Sequence, residues 1–291
     1  MKIINKTMDL KDLENEDAKK LIKELEELDK KFEEKGCHIS SWIGKLDYDP
    51  FLSKINMYNR GYDYKPIFKD EKLDWKYPNF LLWETYWVYS NLDIKKGDKV
   101  LDIGGACSLF SFYLASKGAK VVAIDLNQEL ADNANKIAKT MGLDYTAICA
   151  DGEEFLSTTE EKFDYITSIC VVEHIEINKR RRLMQNLDRC LKEGGTIAFT
   201  FDYKNPSKFV MINNEKDIKD LFLCSGKLRL VENQEFYDNN VNYLVEPFYR
   251  KEFFWKYKLY HIKHKNFPIT EIFKTKDYND YTFGAVFLKV K

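Results

Sequence analysis

The stretch Val100–Asn127, VLDIGGACSLFSFYLASKGAKVVAIDLN, constrains the fold more than any other part of the chain. Val100, Leu101 and Ile103 flank Asp102 in a short apolar run, and Gly104-Gly105-Ala106-Cys107-Ser108 is a turn of small residues. Leu109–Ala115 is apolar, reads as a helix and stops before Gly118; Val121–Ile124 is a second apolar run that ends on Asp125. The order is strand, tight turn, helix, and strand with an acid at its tip, which is a βαβ unit of an open α/β sheet. A turn free of large Cβ substituents lets the backbone approach a ligand. The helix behind it offers unpaired N–H groups. Asp125, 23 residues after Asp102, stands near the spacing of a ribose-binding acid in a dinucleotide fold. A nucleotide-like cofactor is therefore expected; a βαβ unit with no ligand is the plain alternative.

The turn lacks a complete G-x-G-x-x-G, which argues against a nicotinamide cofactor. VLDIGGA resembles instead the glycine-rich first motif of class I S-adenosylmethionine methyltransferases, D-x-G-x-G-x-G, with Ala106 and Ser108 where the second and third glycines would stand. Further along, Gln128–Met141 reads as a helix ending at Gly142, and Tyr145–Ala150 as a short strand followed by Asp151-Gly152. Phe163–Val172 reads as a strand running into Glu173-His174-Ile175; FDYITSICVVEHI is similar to the family's fourth motif. Arg180–Leu191 reads as a helix, Lys192–Gly195 as a turn, and Thr196–Phe201 as a strand ending at Asp202-Tyr203; LKEGG before an apolar strand is another resemblance. Together these cover about residues 97–203.

The resemblance implies an α/β fold: a Rossmann-like class I methyltransferase sheet of about seven strands, mostly parallel with an antiparallel last strand, and helices on both faces. A helical N-terminal extension is added to it. Tyr281–Val290 is the candidate last strand, Leu228–Val231 another strand, and Asn214 the cap of a helix through Leu223. Residues 1–95 are expected to be a helical and aromatic extension over the cofactor and substrate site, and 96–291 the cofactor domain, with an aromatic-basic insertion at about 236–268. The implied cofactor is S-adenosylmethionine, with S-adenosylhomocysteine as product. The implied contacts are the turn residues Asp102 (for which a structural role in the turn is the alternative), Gly104, Gly105, Ala106 and Ser108, then Asp125 for the ribose, with Leu126 beside it. Asp151 and Gly152 follow for the adenine amino group, and Val171 and Glu173 near the methyl group. Asp151 equally suits a helix N-cap.

In this family the segment before the first strand commonly shapes the acceptor site. Trp83, Glu84, Tyr86 and Trp87 in FLLWETYWVYSNL are therefore pocket candidates. The competing role is simply to anchor that helix. Asp202 and Tyr203, at a strand tip, are further candidates. For a hydroxyl acceptor a general base is useful, and His174 is the candidate because imidazole titrates near neutrality. The expected activity is methyl transfer to an oxygen or nitrogen of a small or medium-sized acceptor. A non-catalytic methyltransferase-like binding protein and an NAD-dependent oxidoreductase are the alternatives.

Composition bounds the rest. Of 291 residues, 44% are hydrophobic and 32% charged, as in a folded soluble chain rather than a disordered one. A formal net charge of −1 gives no basic excess for general nucleic-acid binding. Six cysteines form no C-x-x-C pair and no Cys/His cluster at zinc-ligand spacing, so free thiols and no metal are expected. The N-terminus has no apolar signal core and no run approaches 18 apolar residues, so a cytoplasmic protein is expected. Residues 9–35 read as an amphipathic helix with Leu21, Leu25, Leu28 and Phe32 on one face, packing on its own domain or serving as a coiled-coil arm; monomer and homodimer are both open. Within 247–268, PFYRKEFFWKYKLYHIKHKNFP mixes aromatic and basic residues. It reads as a lid or interface for an acidic acceptor, as a solvated amphipathic helix, or as a membrane-surface helix.

Overall fold

The computed structural model describes residues 2–41, 46, 78–205, 212–244 and 280–291, and the structural statements below concern these residues. In chain order the elements are β1 (Lys6–Thr7), α1 (Glu16–Glu34), α2 (Asn79–Ser90), β2 (Lys99–Ile103), α3 (Leu109–Ser116), β3 (Lys120–Asp125), α4 (Gln128–Met141) and β4 (Tyr145–Cys149). They continue as α5 (Gly152–Thr158), β5 (Phe163–Ser168), α6 (Ile177–Cys190), β6 (Leu191–Tyr203), α7 (Glu215–Phe222), β7 (Leu228–Leu230), β8 (Tyr243–Leu244) and β9 (Asp280–Val290).

The sheet runs in the order β1-β9-β6-β5-β2-β3-β4. Strands β4, β3, β2, β5 and β6 are parallel to their neighbours, while β9 lies antiparallel to β6, with Asp202 opposite Phe283. β7 and β1 both pair antiparallel with β9, at Leu288–Val290 and Gly284–Ala285. This is the mostly parallel sheet with an antiparallel last strand. It carries nine strands rather than about seven, because the two-residue β1 and β8 also pair with β9.

Alternation along the strands divides the core. Val100, Val121, Ala123 and Ala198 face one layer, formed by α1, α2, α3 and α4. Leu101, Ile103, Ile124, Ile166, Phe199 and Phe201 face the other, against α5, α6 and α7. A strand covered on both faces reads as a continuous apolar run, which is why VLDI and VVAI are so marked. The helix caps are local sequence chemistry. The Asn127 side chain accepts from the N–H groups of Glu129 and Leu130, and Gly142 ends α4 at φ +66°.

α1 is packed on its own domain. Phe32 meets Phe112 of α3 edge-on at 5.1 Å, and Glu24 accepts a 2.6 Å hydrogen bond from the Tyr113 hydroxyl. Its helix proper starts at Glu16, capped by Asn15, behind a 3-10 turn at Leu10–Glu14. Lys192–Gly195, expected as a turn, lies inside β6. Leu191 already pairs with Phe163, the register then shifts, and Gly194 takes φ +78° as the extra residues bulge out. α6 likewise begins at Ile177, ahead of the expected Arg180, because Glu176 caps it. Trp42, residues 48–77 and the aromatic-basic stretch 247–268 lie outside the described residues. No helix among those described is long and apolar enough to cross a membrane.

Candidate functional site

The turn after β2 is the tightest place in the fold. Gly104 sits at φ +76° and donates its N–H to Ile124 O at 2.7 Å. A Cβ there would lie 2.6 Å from both γ-carbons of Val171, so the segment after β5 rests directly on the turn. Gly105 has no room at all: its Cβ would fall 1.8 Å from Asp102 Oδ2 and 2.8 Å from Ser111 Oγ. Ala106 is buried with its methyl accommodated. Ser108 caps α3, its hydroxyl accepting from Ser111 N at 3.1 Å. The two departures from the glycine pattern thus fall where a side chain fits.

Asp102 lies beneath this turn rather than on its surface. Thr167 Oγ1 donates to Asp102 Oδ1 at 2.8 Å, and the Ser111 hydroxyl donates to Oδ2. Burial pushes its carboxyl up to about 6, against the lowering effect of those two hydroxyls. A free aspartate titrates near 3.9, so between these values the folded chain holds the extra proton. Stability therefore falls as pH rises from about 4 through about 6. Asp102→Asn is expected to remove this part of the pH profile. Relative to wild type, the change between pH 4 and pH 7 should be on the order of 2–3 kcal/mol, at about 1.4 kcal/mol per pH unit, in denaturant titrations at each pH. A difference between the two proteins that does not vary with pH would contradict it.

Cys107 is held on every side. It takes φ +66°, and its N–H donates to the Tyr145 hydroxyl at 3.2 Å. Its carbonyl accepts from Ser40 N and Ser40 Oγ at 2.9 and 3.0 Å, which ties residues of the N-terminal extension to the turn. Asp125 ends β3 with one oxygen accepting from Asn127 N at 2.9 Å; burial raises its carboxyl above the usual range. Leu126 beside it is 75% exposed, an apolar face next to a carboxylate. Asp151 caps α5 through Glu153 N at 2.9 Å and pairs with Lys179 at 2.8 Å, which holds it below the usual carboxylate range. Gly152 faces inward: a Cβ would meet Leu183 at 3.2 Å and Ile103 at 3.4 Å, so packing accounts for this glycine.

Past β5 the chain makes a 3-10 turn, Val172–His174. His174 is exposed there, and its backbone N–H donates to Val171 O. Glu173 is buried. The buried Arg180 braces the turn from α6, with Nη2 donating to Glu173 O at 2.5 Å and Nε to Ile175 O at 2.6 Å. Cys170 takes φ +55°, its N–H donating to Thr200 Oγ1 at 3.0 Å and its thiol to Glu173 Oε1 at 3.0 Å. Asp202 Oδ1 stands 3.6 Å from the same sulfur, and Asn205 donates to Asp202 Oδ2 at 2.6 Å. Burial and the Glu173 carboxylate push the thiol well above its usual value.

Of the strand-tip candidates, Asp202 joins this cluster and Tyr203 does not. Successive residues of a strand face opposite ways. Tyr203 lies on the far face among Phe201 and Phe236, with its hydroxyl on Asp238. The aromatic candidates on α2 point elsewhere too. Trp83 Nε1 donates to Asp12 at 2.8 Å, Trp87 Nε1 to Ile4 O at 2.8 Å, and the Tyr86 hydroxyl is hydrogen-bonded with Asn15. The two indoles stack at 5.8 Å, and Lys6 covers Trp87. These bonds tie α2 to the N-terminal segment.

Glu84 turns the other way. It lies one turn beyond Phe80, which stacks on Phe283, the partner of Asp202 across the β9–β6 ladder. Fully buried, it has neither carboxylate oxygen hydrogen-bonded among the described residues. Burial, then the carboxylates of Glu173 and Asp202, push it well above the usual range, with the Thr200 hydroxyl opposing.

Sequence reasoning missed the supports of this site, Ser111 and Thr167 under Asp102 and Arg180 under the post-β5 turn, whereas Glu84 stood among its pocket candidates. The signal for Ser111 was its i+3 spacing from the cap Ser108.

Residues 100–195 match the family described as methyltransferase domain. Over 110 residues the chain is 33% identical to a ubiquinone biosynthesis O-methyltransferase of Coxiella burnetii, covering 38% of this chain and 46% of that protein. Over 105 residues it is 33% identical to a sphingolipid C9-methyltransferase of Candida albicans, covering 34% of this chain and 20% of that one. The chain thus spans about half, or less, of the length of these curated relatives. Among solved structures, the [4+2]-cyclase SpnF superposes with a TM-score of 0.54 at 15% identity, covering 76% of this chain and 84% of its own. A putative sarcosine dimethylglycine methyltransferase from Galdieria sulphuraria gives 0.51 at 15% identity, covering 81% and 97%. At such identities the likeness is one of fold.

Proposed function

We propose that residues 100–195, which match the methyltransferase-domain family, form a class I S-adenosylmethionine-dependent methyltransferase domain, and that the chain transfers a methyl group to an oxygen or nitrogen of a small or medium-sized acceptor. The acceptor would arrive at the tips of β5 and β6. The observation that supports this reading is the seating of Val171 on Gly104, which brings the post-β5 turn against the cofactor turn with no element between them.

The residues fit the cofactor chemically. Gly104 and Gly105 are cradle positions that a Cβ would fill. The Asp125 carboxylate would accept from the ribose hydroxyls, the exposed Leu126 would cover an adenine face, and the oxygens of Asp151 keep lone pairs for an amino group beyond those used in capping. S-adenosylmethionine supplies a methyl group on a sulfonium, an electrophile that needs orientation more than activation. The chain's own work is to align the acceptor and exclude water. For a hydroxyl acceptor, His174 would take the proton released as the carbon–oxygen bond forms.

Incubation with isotopically labelled S-adenosylmethionine and a panel of phenols, alcohols and amines tests this. One class is expected to gain the label with equimolar release of S-adenosylhomocysteine. Tight binding of both adenosyl compounds with no labelled product from any class would favour a binding protein instead. Tyr203→Phe should lose about 0.5–1.5 kcal/mol of stability, the worth of its bond to Asp238, yet keep the turnover of wild type within about twofold, since it faces away from the strand tips. A turnover loss above tenfold would place Tyr203 back in the site.

A further inference from the structure

Cys170, Glu173 and Asp202 come from two neighbouring strand ends, and Glu84 reaches the same place from α2. Three buried carboxyl groups and a half-buried thiol are gathered here, close enough to act on one another's charge. Buried carboxylates are costly unless a cation or a set of donors meets them. The cationic side chain that the described residues bring here, Arg180, spends Nε and Nη2 on backbone carbonyls, and its buried Nη1 makes no hydrogen bond to the carboxyl groups. Glu84 is the clearest sign of a missing partner: it is fully buried, neither of its oxygens meets a donor in hydrogen-bond geometry among the described residues, and the Thr200 hydroxyl near it carries no charge to balance a carboxylate.

The spacing of the donors distinguishes the kind of cation. Cys170 Sγ is 3.0 Å from Glu173 Oε1 and 3.6 Å from Asp202 Oδ1, and one donor atom from each of the three residues lies within 4.8 Å of the others. Donors at about 2.0–2.3 Å from one metal ion stand about 3.5 Å apart at tetrahedral angles. Acceptors around an alkylammonium, each about 2.8 Å from nitrogen, stand about 4.6 Å apart. Both separations, set here by hydrogen bonds of the thiol, are nearer the smaller shell than the larger. A sulfur with two carboxylate oxygens suits zinc, cobalt or iron rather than magnesium or calcium, which take oxygen alone.

We propose that Cys170, Glu173 and Asp202 bind one divalent transition-metal ion of the zinc type, with Glu84 closing the site from α2. With Glu84 as the fourth donor the shell would be four-coordinate, as in closed zinc sites. Binding would release the thiol proton to solvent as the sulfur–metal bond forms. The ion would bind whether or not the chain is given a methyl donor.

The test uses the full chain, stripped with a chelator and titrated with Co²⁺ while the absorption spectrum is followed. One equivalent is expected to bind with a thiolate-to-cobalt charge-transfer band in the near ultraviolet. Cys170→Ser should abolish the band, and Cys149→Ser, at an exposed thiol, should leave it intact. Asp202→Asn keeps the sulfur and should weaken Co²⁺ at least tenfold; it carries the test if Cys170→Ser does not fold. Zn²⁺ should raise the thermal unfolding midpoint of wild type and not of Asp202→Asn. Absence of a charge-transfer band in wild type, survival of the band in Cys170→Ser, or undiminished affinity in folded Asp202→Asn would each overturn the proposal.

Discussion

Gly105→Ala is expected to destabilise the chain by about 3–5 kcal/mol, the sum of overpacking at about 1–3 kcal/mol and the loss of a buried hydrogen bond to a carboxyl group. The added methyl would fall 1.8 Å from Asp102 Oδ2. Asp102 cannot swing aside, because Thr167 and Ser111 hold its two oxygens and β2 holds its backbone between β3 and β5. So the turn must open or Asp102 must leave its partners. Either movement disturbs the whole Gly104–Ser108 segment, and adenosyl-ligand binding should disappear with it. Against a total stability of about 5–15 kcal/mol, the loss would be plain in urea unfolding. A change below about 1 kcal/mol would mean that Asp102 is not packed as described. The neighbouring position is a natural control, since Ala106 already carries such a methyl in a buried setting.

Asp125→Ala should have the opposite character: little effect on folding and a large one on the ligand. Among the described residues Asp125 caps the following loop, through the backbone of Asn127 and Leu126, and burial already disfavours its charge. Toward a ribose it would accept two charge-assisted hydrogen bonds, each worth about 1.5–3 kcal/mol. Their removal should weaken S-adenosylhomocysteine by a factor of about 10² to 10⁴, with the unfolding midpoint nearly unchanged. Calorimetric titration of the variant checks this. An affinity within threefold of wild type would remove Asp125 from the ribose site.

Local chemistry made much of the fold legible. The α4 helix is bounded by Asn127 and Gly142, whose cap roles follow from residue type alone. β9 is apolar along its length, and the place of an antiparallel last strand came with the family resemblance. What the sequence left undecided was direction. α2 is apolar on all sides, so no amphipathic face says which residues look toward the strand tips. Trp83, Tyr86 and Trp87 turned out to bond with Asp12, Asn15 and Ile4, contacts more than seventy positions away that no periodicity encodes. Glu84 took the inward place.

The tip of β6 posed the same problem on a smaller scale. Asp202 and Tyr203 are adjacent, both looked usable, and only the pairing with β9 decides which of them meets Cys170. Cys170 and Asp202 lie 32 positions apart, so their meeting is a product of the β5–β6 ladder and not of motif spacing. β1 escaped notice because two residues carry no alternation. The acidic acceptor expected from residues 247–268 rests on side chains outside the described residues. The groups gathered at the β5 and β6 tips are acidic and would favour positive charge instead.

The glycine turn and Asp125 would together form the adenosyl-cofactor site. The most direct test is calorimetric titration of the intact chain with S-adenosylhomocysteine and, in parallel, with NAD. One S-adenosylhomocysteine per chain with no heat from NAD is the predicted result. NAD binding without S-adenosylhomocysteine binding, by a protein shown to be folded, would contradict the account.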